Sequence, residues 1–597
     1  MTLDYTVYRK KLNACYVGKT VGGTLGIPRE GHLTTAAISY YDPVPTEMLP
    51  NDDLDLQVSN LAILMQHGLP VCRYHLGDTW RYYNRCSLPD EYGVARANYE
   101  RLLRAPLSGM YNNHFHGGMG SAIRSELWAC LAPADPDLAV RMAIEDACVD
   151  HYDDGILSEV FLTALESAAF TEDDPRKLIE LGLSYLPREH RMSRAFCDTV
   201  ALWDKTHDPL AVREMVLTRY PSDNWTDVTV NLSFILIALL AAEGSFDRAI
   251  CTAAELGYDA DCTCATVGSI FAIIHPDSID RRWTDPIGDE LLLSRNMTNM
   301  QTPSRIGDFC DRVDAVCREV LAYYGSKTRL TNVPADAPTY PMAAPHTAHP
   351  DLLAYRPSEA REALIALSPL AATLVYPKEV AYAYDGREYR MTLRLTNTDS
   401  GEKRGTVTLR TAEGTVAIPS RFDVSLAEGE TCELSFRIEK REPPYRVSVN
   451  LLLIDFALNG IRATVEAGFP DARRYTVEDL DSGKVTAIEA TEAAFPVPAG
   501  RYRYGITLKP AVACEMKLAV NGTVAVNVFQ NGQQVFTRAA GEPYVPALHR
   551  GARVLLNISR GFHRLEFVFE NEKAGECYLD LGTPHGCGEW ITTNEFQ

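Results

Sequence analysis

The hydrophobic period of this chain changes once, and that change limits its fold more than any other feature. Up to about residue 330 apolar side chains recur with the 3.6-residue spacing of helices. Clear runs cover Leu54 to Met65, closed by Gly68-Leu69-Pro70; Leu138 to Ala147; Ile156 to Ala169; and Asn231 to Ala242, closed by Gly244. This predicts an all-α domain over 1–330. From Thr331 to Pro350 a run of prolines, Pro334, Pro338, Pro341, Pro345 and Pro350, cannot continue a helix and reads as a stiff linker over 331–350. Beyond it the period is two: Tyr389 to Asn397, Cys432 to Ile438 and Arg446 to Leu451 alternate apolar and polar. Short strands at this spacing predict an Ig-like β-sandwich over 351–472.

A second sandwich is predicted over 473–597, after the turns at Asp479 to Gly483 and Pro498-Ala499-Gly500. Its most regular strand, Gly561 to Phe569, sets Leu565, Phe567 and Phe569 on one side. It looks like the closing strand of the jelly-roll, carbohydrate-binding modules appended to carbohydrate-active proteins. A chain of 597 residues exceeds a single core. A net charge of −21 argues against a broad nucleic-acid or anionic-membrane surface and leaves room for a small ligand held by local donors. No stretch reaches the ~20 apolar residues of a membrane span. The 15 cysteines follow no C-x-x-C framework, as expected of reduced thiols. With no signal-peptide pattern from Met1 to Lys11, the expected location is cytoplasmic.

Chemistry concentrates in the helical part. Gly257-Tyr258-Asp259-Ala260-Asp261-Cys262-Thr263 runs into a helix of small residues. One carboxylate at a helix N-terminus is an ordinary cap; two on a rigid turn suit a hard divalent cation. Asn51-Asp52-Asp53, with Asp55, repeats the arrangement before the Leu54 helix, where a cap or dipole partner is the ordinary reading of Asp53 or Asp55 alone. Gly18, Gly22, Gly23 and Gly26 give an earlier helix a bare face, which Pro28 ends just before Glu30. Gly18-Lys19-Thr20 lacks the preceding glycine of a phosphate loop. The turn Gly117-Gly118-Met119-Gly120-Ser121 lets backbone approach a ligand, and Asp150-His151 ends a helix, where a histidine is ordinarily structural.

Taken in order, Pro28-Arg29-Glu30, Asn51-Asp52-Asp53, Gly118 to Arg124, His151 and Asp259-Ala260-Asp261-Cys262 resemble the motifs of the ADP-ribosylglycohydrolase family, dinitrogenase reductase-activating glycohydrolases included, over about residues 10 to 290. The resemblance implies an all-α bundle whose cleft holds two Mg²⁺ ions, with Mn²⁺ acceptable. It makes Asp52, Asp53, Asp259 and Asp261 metal ligands, Glu30 the catalytic carboxylate, and Gly120, Ser121 and His151 substrate-binding positions. Asn113 and His116, just before the glycine turn, join them as substrate-binding candidates. Asn51 and Cys262 stand where the family has hydroxyl ligands; an amide carbonyl serves a hard cation, whereas sulfur serves Mg²⁺ poorly. One metal position is therefore expected to be weakened, or better filled by Mn²⁺ or Zn²⁺. The implied activity is metal-dependent hydrolysis of an N- or O-glycosidic bond, with an ADP-ribosyl substrate as the family default. Alternatives are a nucleoside or carbohydrate glycosidase on the same fold, with the sandwiches shaping the site, and a non-catalytic sugar- or nucleotide-binding protein. Neither nucleic acid nor membrane is an expected partner, and homo-oligomerisation is left open.

Overall fold

Each helix expected from the apolar period forms and begins two or three residues before the periodic run, two of them ending one residue short of it. Helices span Asp52–His67, Pro136–Ala147, Asp154–Ala168 and Val228–Ala241 in the computed structural model. It describes residues 2–85, 90–222, 224–332, 361–368, 370–441, 447, 449–508, 514–542, 553–558, 561–585 and 589–592. The Pro-rich linker lies almost wholly outside them. Two units share the chain: one made of Met1–Arg85 and Phe115–Pro357, the other of Cys86–His114 and Ser358–Gln597.

The first unit is helical. Asp4 opens its first helix, Tyr5–Gly26, by accepting from the backbone N–H groups of Thr6 and Val7. Pro28 then allows only a short 3₁₀ turn, Ile27–Arg29. Asp227 caps the Val228–Ala241 helix, which is apolar on nearly every side and accordingly runs through the core. Thr2–Asp4 pairs in parallel with Arg329–Thr331, tying the start of the unit to its last described strand. No described helix is long and apolar enough to cross a membrane.

The second unit is β-rich, with antiparallel sheets in two groups. In the first group a five-stranded sheet, in the order Glu362–Ala366, Leu370–Val375, Tyr389–Asn397, Thr431–Lys440 and Thr415–Ile418, shares one apolar core with a four-stranded sheet. Along Tyr389–Asn397 alternate residues are buried, as period two requires. Of the strand expected over Arg446 to Leu451, Asn450 and Leu451 begin a strand that runs to Leu458, while Arg446 and Ser448 lie outside the described residues. Before it, Val447 exchanges hydrogen bonds with Asp471, whose carboxylate also holds Lys440 and Asn450. In the second group a six-stranded sheet and its partner sheet enclose another core, and Leu565, Phe567 and Phe569 of the His563–Asn571 strand all enter it.

Residues 86–114 leave the helical unit and return to it. Their helices, Glu91–Glu100 and Leu107–Met110, bring Leu103, Leu107 and Tyr111 into the first β core. Polar contacts fix the excursion there: Arg104 donates to Glu466 O at 2.7 Å, Tyr111 Oη to Thr491 O at 3.0 Å, and Asn112 Oδ1 accepts from Ala493 N at 2.7 Å.

Candidate functional site

Two helices set the site by meeting backbone to backbone. Tyr5–Gly26 lies antiparallel to the late helix Ala260–Ile274, with Gly18 against Gly268, Gly22 against Cys264 and Gly26 against Ala260. A Cβ at any of the three first-helix positions would fall 2.0 to 2.3 Å from a carbonyl oxygen of the partner. Glycine at a four-residue interval is therefore what allows this approach. The antiparallel pairing puts the end of one helix, with Glu30, beside the start of the other, with Asp259 and Asp261. A short bridge locks the juncture: Gly31 N donates to Tyr258 O and Tyr258 N to His32 O, both at 2.8 Å.

The Asp52–His67 helix brings the other acidic group. Asn51 precedes it without capping it; its Nδ2 donates instead to Asp53 Oδ2 at 3.0 Å. Asp53, Asp261 and Cys262 are all buried, and their donor atoms lie within 4.8 Å of one another. Asp261 Oδ1 is buried without a hydrogen-bond partner. Asp52 is exposed and Glu30 half-buried. Asp259 is buried, its N–H held by Asn231 Oδ1 at 3.1 Å. Thr263, next to Cys262, donates its hydroxyl back to Ala260 O at 3.3 Å.

These groups strain against one another electrostatically. Burial raises Asp259 well above the carboxylate range, and the Glu30 charge adds to it. Burial, then Asp259, Glu30, Asp53 and Asp52, raise Asp261 in the same way. Cys262 is raised by burial and by the four aspartates, which keeps it a thiol while no cation is near. Asp53 is pushed up to about 7 by burial, with Lys19 pulling the other way. Lys19, 1% exposed, places Nζ 3.5 Å from Asp53 Oδ1 and 2.9 Å from Glu126 Oε1, while Gln57 donates to Glu126 Oε2 at 2.8 Å. Asp55 faces elsewhere and accepts from Ser294 N at 3.0 Å.

The glycine turn is held from behind by a buried network. Ser121 Oγ donates to Gly155 O at 2.7 Å, and Ser121 N to His151 Nε2 at 3.1 Å. His151 Nδ1 donates to Asp150 Oδ1 at 2.6 Å, so both ring nitrogens serve the fold. Arg124 binds Gly120 O at 3.1 Å and both oxygens of Asp150, and its Nε reaches Asp146 at 2.8 Å. Burial alone would raise Asp150, but the Arg124 charge and the hydrogen bonds from His151 and Arg124 outweigh it and bring it down to about 2. Gly120, Ser121 and His151 are all buried, and these bonds fix the shape of the turn. His116 is half-buried, with Nδ1 at 3.0 Å from Tyr152 O. Asn113 belongs to the β-rich unit, where its Nδ2 donates to Glu91 O at 3.5 Å.

Asp153, Asp154 and His190 form a second group of donor atoms. His190 Nδ1 accepts from Met192 N, so Nε2 carries the proton it gives to Asp154 at 3.0 Å, and no lone pair is left for an ion. The sequence reading did not assign Lys19, Glu126, Asp146 or Asp150 to the site. Lys19 could have been found as the one cation in a glycine-ribbed helix face otherwise small or apolar.

Fold and site together define a protein whose helical unit carries a buried, carboxylate-lined centre and is followed by a β-rich region. The chain belongs to the ADP-ribosylglycohydrolase family, whose model matches residues 4–319, and that membership supports a glycohydrolase. Among solved structures, an ADP-ribosylglycohydrolase-related protein complex is 14% identical, covering 53% of this chain and 99% of that one at a TM-score of 0.37. An anti-sigma factor domain-containing protein from Clostridium clariflavum is 11% identical over 34% of this chain and 84% of its own, with a TM-score of 0.16. The Streptomyces avermitilis α-L-rhamnosidase complexed with L-rhamnose is 14% identical over 38% of this chain and 25% of its own, with a TM-score of 0.15. No curated protein matches the chain.

Proposed function

We propose that the helical unit hydrolyses a glycosidic bond with the help of a divalent cation, and that the bond joins an ADP-ribosyl group to its acceptor. The observation that carries this reading is Asp261 Oδ1, a buried carboxylate oxygen without a partner in a group whose donor atoms lie within 4.8 Å of one another. Such an atom is costly to bury unless a cation satisfies it. Asp53, Asp261 and Cys262 would hold the ion, with Asp52 and Asp259 adding negative charge around it. When bound, the ion would supply Lewis-acid fixation of a sugar hydroxyl pair and a water. Glu30, half-buried and close enough to raise both Asp259 and Asp261, would take a proton from the attacking water or give one to the leaving group. Positive charge developing on the sugar ring in an oxocarbenium-like transition state would be favoured by the surrounding carboxylates. Gly120 would bring bare backbone to the substrate, on a turn that Arg124, Ser121 and His151 keep rigid.

The test is release of ADP-ribose from an ADP-ribosylated protein, with ADP-ribosyl-free nucleosides and simple glycosides as comparison substrates. Turnover that needs a divalent ion, stops with chelator and falls about 10²–10⁴-fold in Glu30→Gln supports the reading. No release by the wild-type protein with any divalent ion would overturn it, and faster turnover of a plain nucleoside or glycoside would reassign the substrate.

A further inference from the structure

The chemistry of the donor set says which kind of cation belongs at this centre. Cys262 sits in the first turn of the Ala260–Ile274 helix, 6% exposed, with its sulfur in the same group of donor atoms as the carboxylates of Asp53 and Asp261. The neighbouring hydroxyl, on Thr263, is turned back onto its own helix and gives the group no hard oxygen in place of the sulfur. Asp261 Oδ1, buried and unpartnered, points to the same group as one suited to a cation. Asp53 is oriented from outside by two donors, Lys19 Nζ at 3.5 Å on one oxygen and Asn51 Nδ2 at 3.0 Å on the other. Such outer partners commonly orient metal-binding side chains.

Two carboxylates and one sulfur make three protein donors, which with one open position is the ligand count of a catalytic zinc site. Mg²⁺ prefers an octahedron of oxygens and takes sulfur poorly, whereas thiolate favours borderline and soft ions. We infer that Cys262 is a metal ligand and that the centre takes a single ion of the zinc class in preference to Mg²⁺. As the ion enters, the sulfur–metal bond replaces the S–H bond and the thiol proton leaves to solvent. This inference rests on the metal-dependent reading above and adds to it the identity of the ion.

Co²⁺ tests it, because cobalt stands in for zinc and a thiolate ligand gives it a charge-transfer band in the near ultraviolet. The full-length chain, stripped by chelator, is titrated with Co²⁺. One equivalent bound with that band is expected, and in Cys262→Ser Co²⁺ still binds but the band is gone. The same variant should lose at least the roughly 10–100-fold in Zn²⁺ affinity that removal of an outer-shell partner costs, and gain in Mg²⁺ affinity. X-ray absorption of the zinc-loaded wild type needs no variant and should show one sulfur at about 2.3 Å. A bound ion with only oxygen and nitrogen neighbours, or a band that persists in Cys262→Ser, overturns this inference and leaves the metal-dependent reading standing. Failure to bind any divalent ion overturns both.

Discussion

A Cβ on Gly22 would lie 2.0 Å from the carbonyl oxygen of Cys264, so the first helix and the helix that begins with the Asp259–Asp261 pair touch through bare backbone. This contact ties Glu30 to the late aspartates, because both leave from the ends of the paired helices. Gly22→Ala gains about 1 kcal/mol in helix propensity. It must also push two backbones apart, and overpacking of this kind costs about 1–3 kcal/mol or more. The clash should win: a lower Tm is expected, with activity falling further than stability explains because the site opens. A Tm at or above wild type would show that the helices separate without cost.

Asp261→Asn removes a charge at nearly constant size from a carboxylate that burial and its neighbours hold far above its usual range. Without metal the variant should be as stable as wild type or more so, since a costly buried acid is gone. With metal it should lose the added stability that ligand binding gives the native state. Melting curves of both proteins with chelator and with saturating Zn²⁺ or Mn²⁺ decide the matter. An equal metal-induced rise in Tm for both would remove Asp261 from the ligand set.

The metal-free protein should become less stable as pH rises from about 4 to about 7. Asp53 and Asp55 are each pushed up to about 7 by burial, against an ordinary value near 3.9. Between those values the native state binds more protons than the unfolded chain, so each group lowers stability by about 1.4 kcal/mol per pH unit across the window. Asp150 has the opposite sign, but its value near 2 confines its effect to pH below about 4. Denaturant titrations in chelator at pH 5 and pH 7 should show the drop, and Asp55→Asn should shrink it. Stability that climbs over this interval would contradict the burial of these carboxylates.

What the sequence shows about the site depends on whether a residue's neighbours in the chain reveal its surroundings. Gly18, Gly22 and Gly26 announce a close helix contact by their spacing alone, and the paired aspartates announce excess charge at two helix starts. The helix ends were legible for the same local reason, Gly68 and Gly244 being turn residues with positive φ. Lys19 and Glu126, 107 residues apart, look like solvated charges until the fold buries them together. His151 looks available to a ligand until Ser121 N and Asp150 occupy both nitrogens. Residues 86–114 were illegible for a different reason. Their helical period is the same whether they pack in a bundle or against a sheet.

Lys19 and Glu126 should behave as a unit. Lys19→Met leaves Glu126 buried without its cation, which costs about 3–5 kcal/mol for a buried pair broken on one side. Neutralising both, as Lys19→Met with Glu126→Gln, should recover most of the loss, because no uncompensated charge remains. A double-mutant cycle by denaturant unfolding measures the coupling. Additive losses would mean that Lys19 is held chiefly by Asp53, and the double variant would then show the sum of the two single losses.

Residues 86–114 belong to the β-rich unit although the chain on either side of them belongs to the helical one. Leu103, Leu107 and Tyr111 are at most 5% exposed, and they are covered by the first β core. Ending the chain after residue 332 would remove that core and leave three large apolar side chains with nothing to bury them. At ~25 cal/mol per Å² and 1.5–3 kcal/mol for each fully buried side chain, the truncated chain would forgo several kcal/mol and present a sticky loop. The expected outcome is aggregation of the truncated chain, relieved when Leu103, Leu107 and Tyr111 are all made polar. In the full-length protein Leu107→Ala should cost about 2–5 kcal/mol. That loss should fall on unfolding of the β-rich unit, read by hydrogen exchange of the Tyr389–Asn397 strand. A soluble, sharply melting truncated chain with its native residues would show that 86–114 finds a second place to pack.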